Sequence, residues 1–152
     1  MAIVAGDLGH VAEHNRLSGV PLGTLTSGYA QVTANQTGIT TSVNLTGLTV
    51  TVTVGSGRRI RISGQGWFSS SVASDTGQLL IQEGATVLNG GQVVTPAGAG
   101  QLASTFVSAI LQPSAGAHTY KLTAARAGGS GSMTFNAGAT FPAYILVEDI
   151  GV

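Results

Sequence analysis

Between Leu48 and Val54 the chain alternates without a break. Leu48, Val50, Val52 and Val54 fall on one side, and Thr49, Thr51 and Thr53 on the other. A period of two puts each set on its own face of a pleated strand, so one face is buried and one is solvated. Residues 58–63 repeat the pattern, with Ile60 and Ile62 inward and Arg59 and Arg61 outward. Gly55-Ser56-Gly57 between the two runs predicts a hairpin turn. Gly64 and Gly66 interrupt the next stretch ahead of Trp67 and Phe68, which predicts a bulge. Trp67 and Phe68 face opposite ways, one to the core and the other to an interface. Further strands are predicted at 78–83, 86–95 (with Asn89-Gly90-Gly91 as a turn), 104–111, 118–126, 131–137 and 143–149. About eight to ten short strands from Tyr29 onward, separated by Gly-rich turns, predict an all-β fold, a β-sandwich or jelly roll.

Two of these strands do not alternate. Residues 105–111 and, more strongly, 143–147 are apolar on both faces. A sandwich strand with one solvated face should alternate, so something covers the outer side of these two. The N-terminal segment could do so, as could a neighbouring subunit. The second is favoured here: Tyr144, Ile145, Leu146 and Val147 are the candidate subunit interface of a symmetric homo-oligomer.

Residues 1–25 read differently. Asp7 can cap a short helix over residues 8–17, and His10 and His14, like Glu13 and Leu17, lie at helical spacings. Gly19 and Pro21 stop it. So short a helix is marginal on its own and has to dock. This divides the chain into an N-terminal docking arm, 1–25, and a β-sandwich domain, 26–152.

Composition sharpens the picture. Six Lys and Arg balance six Asp and Glu in 152 residues, and charged residues make up 8% of the chain, against about 25% in an average soluble domain. Mean hydropathy is +0.33. So few charges leave neutral surface that favours association with other chains. Zero net charge argues against nucleic acid or an anionic membrane as a partner. There are no cysteines, which excludes disulfides and Cys-based zinc sites. No apolar run approaches a membrane span, and the first residues do not have the pattern of a secretory signal.

One motif carries potential chemistry. Residues 10–14, HVAEH, match the His-x-x-Glu-His signature of one class of zinc peptidase. A catalytic zinc needs a third protein ligand on a rigid scaffold. Here no following helix supplies one, and the segment has no core of its own. Adventitious metal binding by His10 and His14 is a weaker reading; docking residues on a partner is the preferred one. His118 has no acidic neighbour in sequence. A Ser-His-acid triad is recognised only in three dimensions, so the sequence leaves it open. Glu148 and Asp149 point to opposite faces of a strand and make a poor acid/base pair. Arg58, Arg59 and Arg61 form the one basic cluster, read mainly as the solvated side of a strand. Residues 55–59 and 97–101 match no phosphate-binding loop. The chain is expected to have no catalytic, metal or cofactor site.

Residues 5–17, AGDLGHVAEHNRL, resemble the Gly-Asp-x-Gly-His-x-x-x-His-Asn opening of small virion structural proteins of actinobacterial tailed phages. Residues 116–152 resemble the C-terminal half of their β-sandwich domain, notably Pro-Ala-Tyr-Ile-x-Val-Glu-Asp-Ile-Gly at 142–151. The likeness spans most of the chain and is weakest in the middle strands. It implies a jelly roll related in shape to the tumour-necrosis-factor fold, assembled as a homotrimer with residues 143–147 towards the threefold axis. It also implies a capsid decoration protein, made in the host cytoplasm, that binds the major capsid protein on the outer head shell and stabilises it. Asp7, His10, Val11, His14, Arg16, Leu17 and Leu22 would then be the capsid-contacting arm. The alternative is a minor tail or fibre protein whose sandwich binds the host.

Overall fold

The computed structural model describes residues 28–95 and 99–151. The arm and its candidate contacts Asp7, His10, Val11, His14, Arg16, Leu17 and Leu22 lie outside the described residues, as does the helix predicted there. Ten strands run through the described part: β1 (Tyr29–Val32), β2 (Gln36–Ile39), β3 (Val43–Val54), β4 (Arg59–Ser70), β5 (Thr76–Glu83), β6 (Thr86–Val94), β7 (Ala103–Leu111), β8 (Gly116–Gly128), β9 (Met133–Asn136) and β10 (Ala143–Gly151). All pairings are antiparallel.

The strands form two sheets. One has the order β3–β8–β5–β6; in the other β4 is central, with β7 on one side and β10 and β9 on the other. β10 pairs with Arg59–Gln65 and β9 with Trp67–Ser70, so the two are one long strand interrupted at 137–142. β1 on β10 and β2 on β9 are likewise one strand broken at 33–35. Counted so, eight strands divide between two four-stranded sheets, β1/β2–β9/β10–β4–β7 and β3–β8–β5–β6, and every connection but the β5–β6 hairpin crosses from one to the other. This interleaved pair of Greek keys is a jelly roll.

The alternation predicted in β3 and β4 is realised. Leu48, Val50, Val52, Val54, Ile60, Ile62 and Phe68 are buried, while Thr49, Thr51, Thr53, Arg59 and Arg61 are exposed. Leu79, Ile81, Tyr120, Leu122, Phe135 and Ile145 complete the layer between the sheets. Each fully buried aliphatic or aromatic side chain there contributes about 1.5–3 kcal/mol relative to exposure.

Three local expectations are corrected. Residues 55–57 do make a tight turn, with Arg58 N donating to the Gly55 carbonyl and Gly57 at φ +71°. But β3 and β4 belong to different sheets, so the turn crosses the sandwich and is no hairpin. Gly64 and Gly66 cause no bulge, because the β4–β7 register runs unbroken from Ile60 to Phe68. They are glycine because the opposite sheet and β9 press on them: a Cβ on Gly64 would lie 2.7 Å from Leu122, and one on Gly66 2.0 Å from the Phe135 ring. Asn89-Gly90-Gly91 lies inside β6, and the turn is at Gly84-Ala85 instead. Gly84, at φ +59°, supplies the left-handed residue that turn needs.

Candidate interaction face

The outer face of the β1–β10–β4–β7 sheet collects the large side chains that the core leaves over. Of eight aromatic residues, Phe68, Tyr120 and Phe135 are buried in the core. The other five, Tyr29, Trp67, Phe106, Phe141 and Tyr144, all lie on or against this one face. Its rows follow from the registers: Tyr29, Leu146, Ser63 and Ser108 stand side by side across four strands, as do Gln31, Tyr144, Gln65 and Phe106. The rings of Tyr29 and Tyr144 are 6.0 Å apart, and Phe141 meets Trp67 edge-on at 5.3 Å. Phe106 is 59% exposed, Ile110 56% and Tyr29 48%. Ser63 and Ser108, side by side between them, bring their hydroxyls to 3.5 Å. Charge on this face is confined to one end, where Arg61 pairs with Glu148 at 2.9 Å beside Ile110 and Arg59 is exposed. The remaining exposed apolar residues are scattered: Val72 and Leu102 in loops, Val87 and Val94 at the two ends of edge strand β6, Ile150 near the end of β10.

The predicted interface residues divide. Tyr144 and Leu146 point outward onto this face. Ile145 and Val147 do not: they are 0% and 2% exposed and belong to the core. The reason is the pleat. Both faces of β10 are apolar, but alternate residues serve different faces, so only half of the run is available to a partner. Composition missed Phe106 and Ile110. The two-sided apolar character of residues 105–111 was the signal, and their facing positions on β7 follow from the pairing with β4.

The other sequence candidates find partners. Arg58 donates from Nε and a terminal nitrogen to the Asp149 carboxylate, at 2.6–3.0 Å. Burial alone would push the Asp149 carboxyl up, but the Arg58 guanidinium and the Gly151 amide together hold it below the ordinary carboxylate range. Glu148 and Asp149 are thus each neutralised by an arginine. Arg61 is paired and still exposed on the solvated side of its strand, while Arg58 is paired and mostly buried.

His118 has an acidic partner that sequence did not show: its Nδ1 lies 2.7 Å from Glu83 Oε1. Its Nε2 faces the Ser114 carbonyl at 2.9 Å, an acceptor and not a hydroxyl nucleophile. The hydrogen bond to Glu83 and that to Ser114 raise the imidazole above its ordinary value, against the opposing effect of burial. Among the described residues no group of three or more His, Cys, Asp or Glu could hold a metal, and no helix is long and apolar enough to cross a membrane.

A separate concavity of about 370 Å³ opens between the break in β1/β2 and the irregular part of β3. Val32, Ala34, Leu45, Leu48 and Phe135 line it, with Asn35 and Gln36 at its edge. Gln36 braces the wall, donating to the Asn44 carbonyl and accepting from Thr46 N. None of its lining residues is ionisable.

No family model matches the sequence, and no curated protein sequence does. Among solved structures, the carbohydrate-binding module CBM36 in complex with calcium and xylotriose superposes with a TM-score of 0.43 at 12% identity, over 79% of this chain and 98% of that one. The CBM36-1 domain of a multidomain xylanase from the hindgut metagenome of Trinervitermes trinervoides gives 0.44 at 13% identity, over 82% and 98%. The insecticidal delta-endotoxin Cry8Ea1 of Bacillus thuringiensis gives 0.42 at 12% identity, over 80% of this chain, which spans 19% of the toxin's length. The assignment as a jelly roll rests on the strand order described above.

Proposed function

We propose that this protein is a non-catalytic virion structural protein, a capsid decoration protein that binds the outer head shell as a homotrimer. The observation that carries the assembly is the outer face of the β1–β10–β4–β7 sheet. It gathers every aromatic residue the core does not use, adds Leu146 and Ile110, and is nearly free of charge. Aromatic enrichment with charge depletion at the centre and charge at the rim is the composition of a subunit interface. Tyr144, Leu146, Phe106 and Tyr29 are its central contacts, and the Arg61–Glu148 pair lies at its edge. Three copies joined through this face would hide the neutral surface that the low charge content leaves exposed. The placement in a phage virion is supported by the resemblance of residues 5–17 and 116–152 to phage virion proteins. Several weak shell contacts per trimer would add by multivalency and tie neighbouring capsomers together.

Exposed aromatics on a sheet face also suit stacking against sugar rings, which favours a tail or fibre protein that binds the host as the second reading. Copy number separates the two. Quantitative mass spectrometry of purified particles is expected to give this chain in a fixed large ratio to the major capsid protein. A few copies per particle would move it to the tail, and absence from particles would overturn both readings.

A further inference from the structure

His118 stands at one mouth of the sandwich, where β5 ends and the loop from β7 arrives on β8. Its ring lies parallel to that of Tyr120, two residues on, with centroids 6.1 Å apart and planes 6° from coplanar. Each ring nitrogen faces an acceptor: the Glu83 carboxylate on β5 and the Ser114 carbonyl in the loop 112–115. A neutral imidazole has one N–H and can satisfy only one of them; the imidazolium has two and satisfies both. The other anchor of the loop is Gln112, whose amide donates to the Gly57 carbonyl in the β3–β4 turn.

We propose that His118 is a proton-operated latch that clamps the β7–β8 loop to the end of β5 when protonated and releases Ser114 when neutral. Glu83 is the stronger acceptor because it is charged, so the single remaining N–H stays with it. The Nε2 lone pair then faces the lone pairs of the Ser114 oxygen, and that contact is lost.

Among the described residues, the surroundings contain little else that titrates. β3 carries no ionisable residue. The loop 112–115 and the turn 84–85 carry none either. Tyr120 is fully buried, and burial together with the Glu83 charge pushes its phenol up to about 12, beyond the range in question. Lys121 alternates to the opposite face of β8. Arg58, in the nearby β3–β4 turn, is held by Asp149. Among the described residues, Glu83 is therefore the one charged group that faces the imidazole.

The direction follows from the raised imidazole. Its contribution to the closed loop is fully present below the ordinary value of about 6.5 and is lost as pH rises through the higher folded value. The latch opens on the alkaline side.

The test is an NMR pH titration of the full-length, isotopically labelled protein, following the His118 ring and the backbone amides of Ser114, Ala115 and Gly116. The ring is expected to titrate above its ordinary value, and the three amides to move with the same midpoint. In H118Q the amides should no longer respond over that range. Glu83→Gln should lower both midpoints together, and it serves as the test if H118Q does not fold. Loop amides that stay still while His118 titrates would overturn the latch. So would a ring midpoint at or below the ordinary value, or a loop midpoint that Glu83→Gln leaves behind.

Discussion

Arg58 and Asp149 lie 91 positions apart in sequence and meet in a charge pair of 2.6 Å. One sits in the turn that carries the chain from one sheet to the other, the other near the end of β10. The pair therefore fastens the last strand to the crossing. Both side chains are mostly buried. Arg58→Ala should cost about 1–3 kcal/mol, because it removes charge-assisted hydrogen bonds and strands a part-buried carboxylate. The folded Asp149 carboxyl lies below its ordinary value. Its contribution is thus present above the unfolded value near 3.9 and lost as pH falls through the folded one. Urea denaturation at pH 7 and at successively lower pH should show wild type approaching Arg58→Ala as the acid limit nears. A gap that stays constant with pH would assign the loss to packing.

Asp75 organises the opposite kind of region, where three loops converge. Its buried carboxylate accepts from Ser70 Oγ at 2.6 Å and from the amides of Ser130 and Gly131, while its carbonyl accepts from Thr95 N and Oγ1. The Ser70 hydroxyl, then the two amides and the charge of Arg126, hold this carboxyl below its ordinary value, against burial. Asp75→Asn puts an NH₂ where an acceptor is needed, so one donor must lose its partner. It should lower the melting temperature and raise hydrogen exchange together in segments 71–74 and 129–132. Exchange raised in one segment only would mean that the carboxylate does not couple them.

Gly66 tests whether close packing, and not flexibility, selects glycine in β4. Gly66→Ala drives a methyl into the Phe135 ring, whose atoms already lie 2.0–2.9 Å from the added carbon. Overpacking of this kind typically costs about 1–3 kcal/mol. Gly64→Ala meets the branched end of Leu122 and should be milder. Pairing Gly66→Ala with Phe135→Leu should recover part of the loss relative to the sum of the single changes. Strict additivity in denaturant titrations would refute the contact.

The features legible in sequence share one property: they depend on neighbours within a strand. The Leu48–Val54 alternation sets its own buried face, whatever it pairs with. Strand β10 is apolar on both faces, and that is visible from its own residues. What was not legible depends on which sheet a residue enters. A Gly-Ser-Gly turn serves a hairpin and a crossing equally well, so residues 55–57 could not reveal the switch of sheets. Gly64 and Gly66 look like breakers until Leu122 and Phe135 arrive from β8 and β9. His118 lacked an acidic neighbour because Glu83 comes from another strand, 35 positions away. The aromatic face likewise emerges only when β1, β4, β7 and β10 are laid side by side.

Adjacent residues of β10 give the sharpest separation of core from interface. Ile145 is fully buried between the sheets, and Leu146 points outward beside Ser63 and Tyr29. Ile145→Ala should destabilise the fold by about 2–5 kcal/mol, the range for emptying a buried aliphatic position. Leu146→Asp should leave the monomer fold intact, since an outward carboxylate is solvated once the copies separate. In the proposed assembly it places three like charges in an apolar contact, and Arg61 nearby is already engaged by Glu148. Analytical ultracentrifugation should then show trimer for wild type and monomer for Leu146→Asp, and Phe106→Asp should behave in the same way. If both aspartate variants sediment as trimers with an unchanged far-ultraviolet spectrum, the subunit contact lies on another face. The outer surface of β3 and β8, with Thr51 and Thr119 hydrogen-bonded across it at 2.8 Å, would be the next to examine.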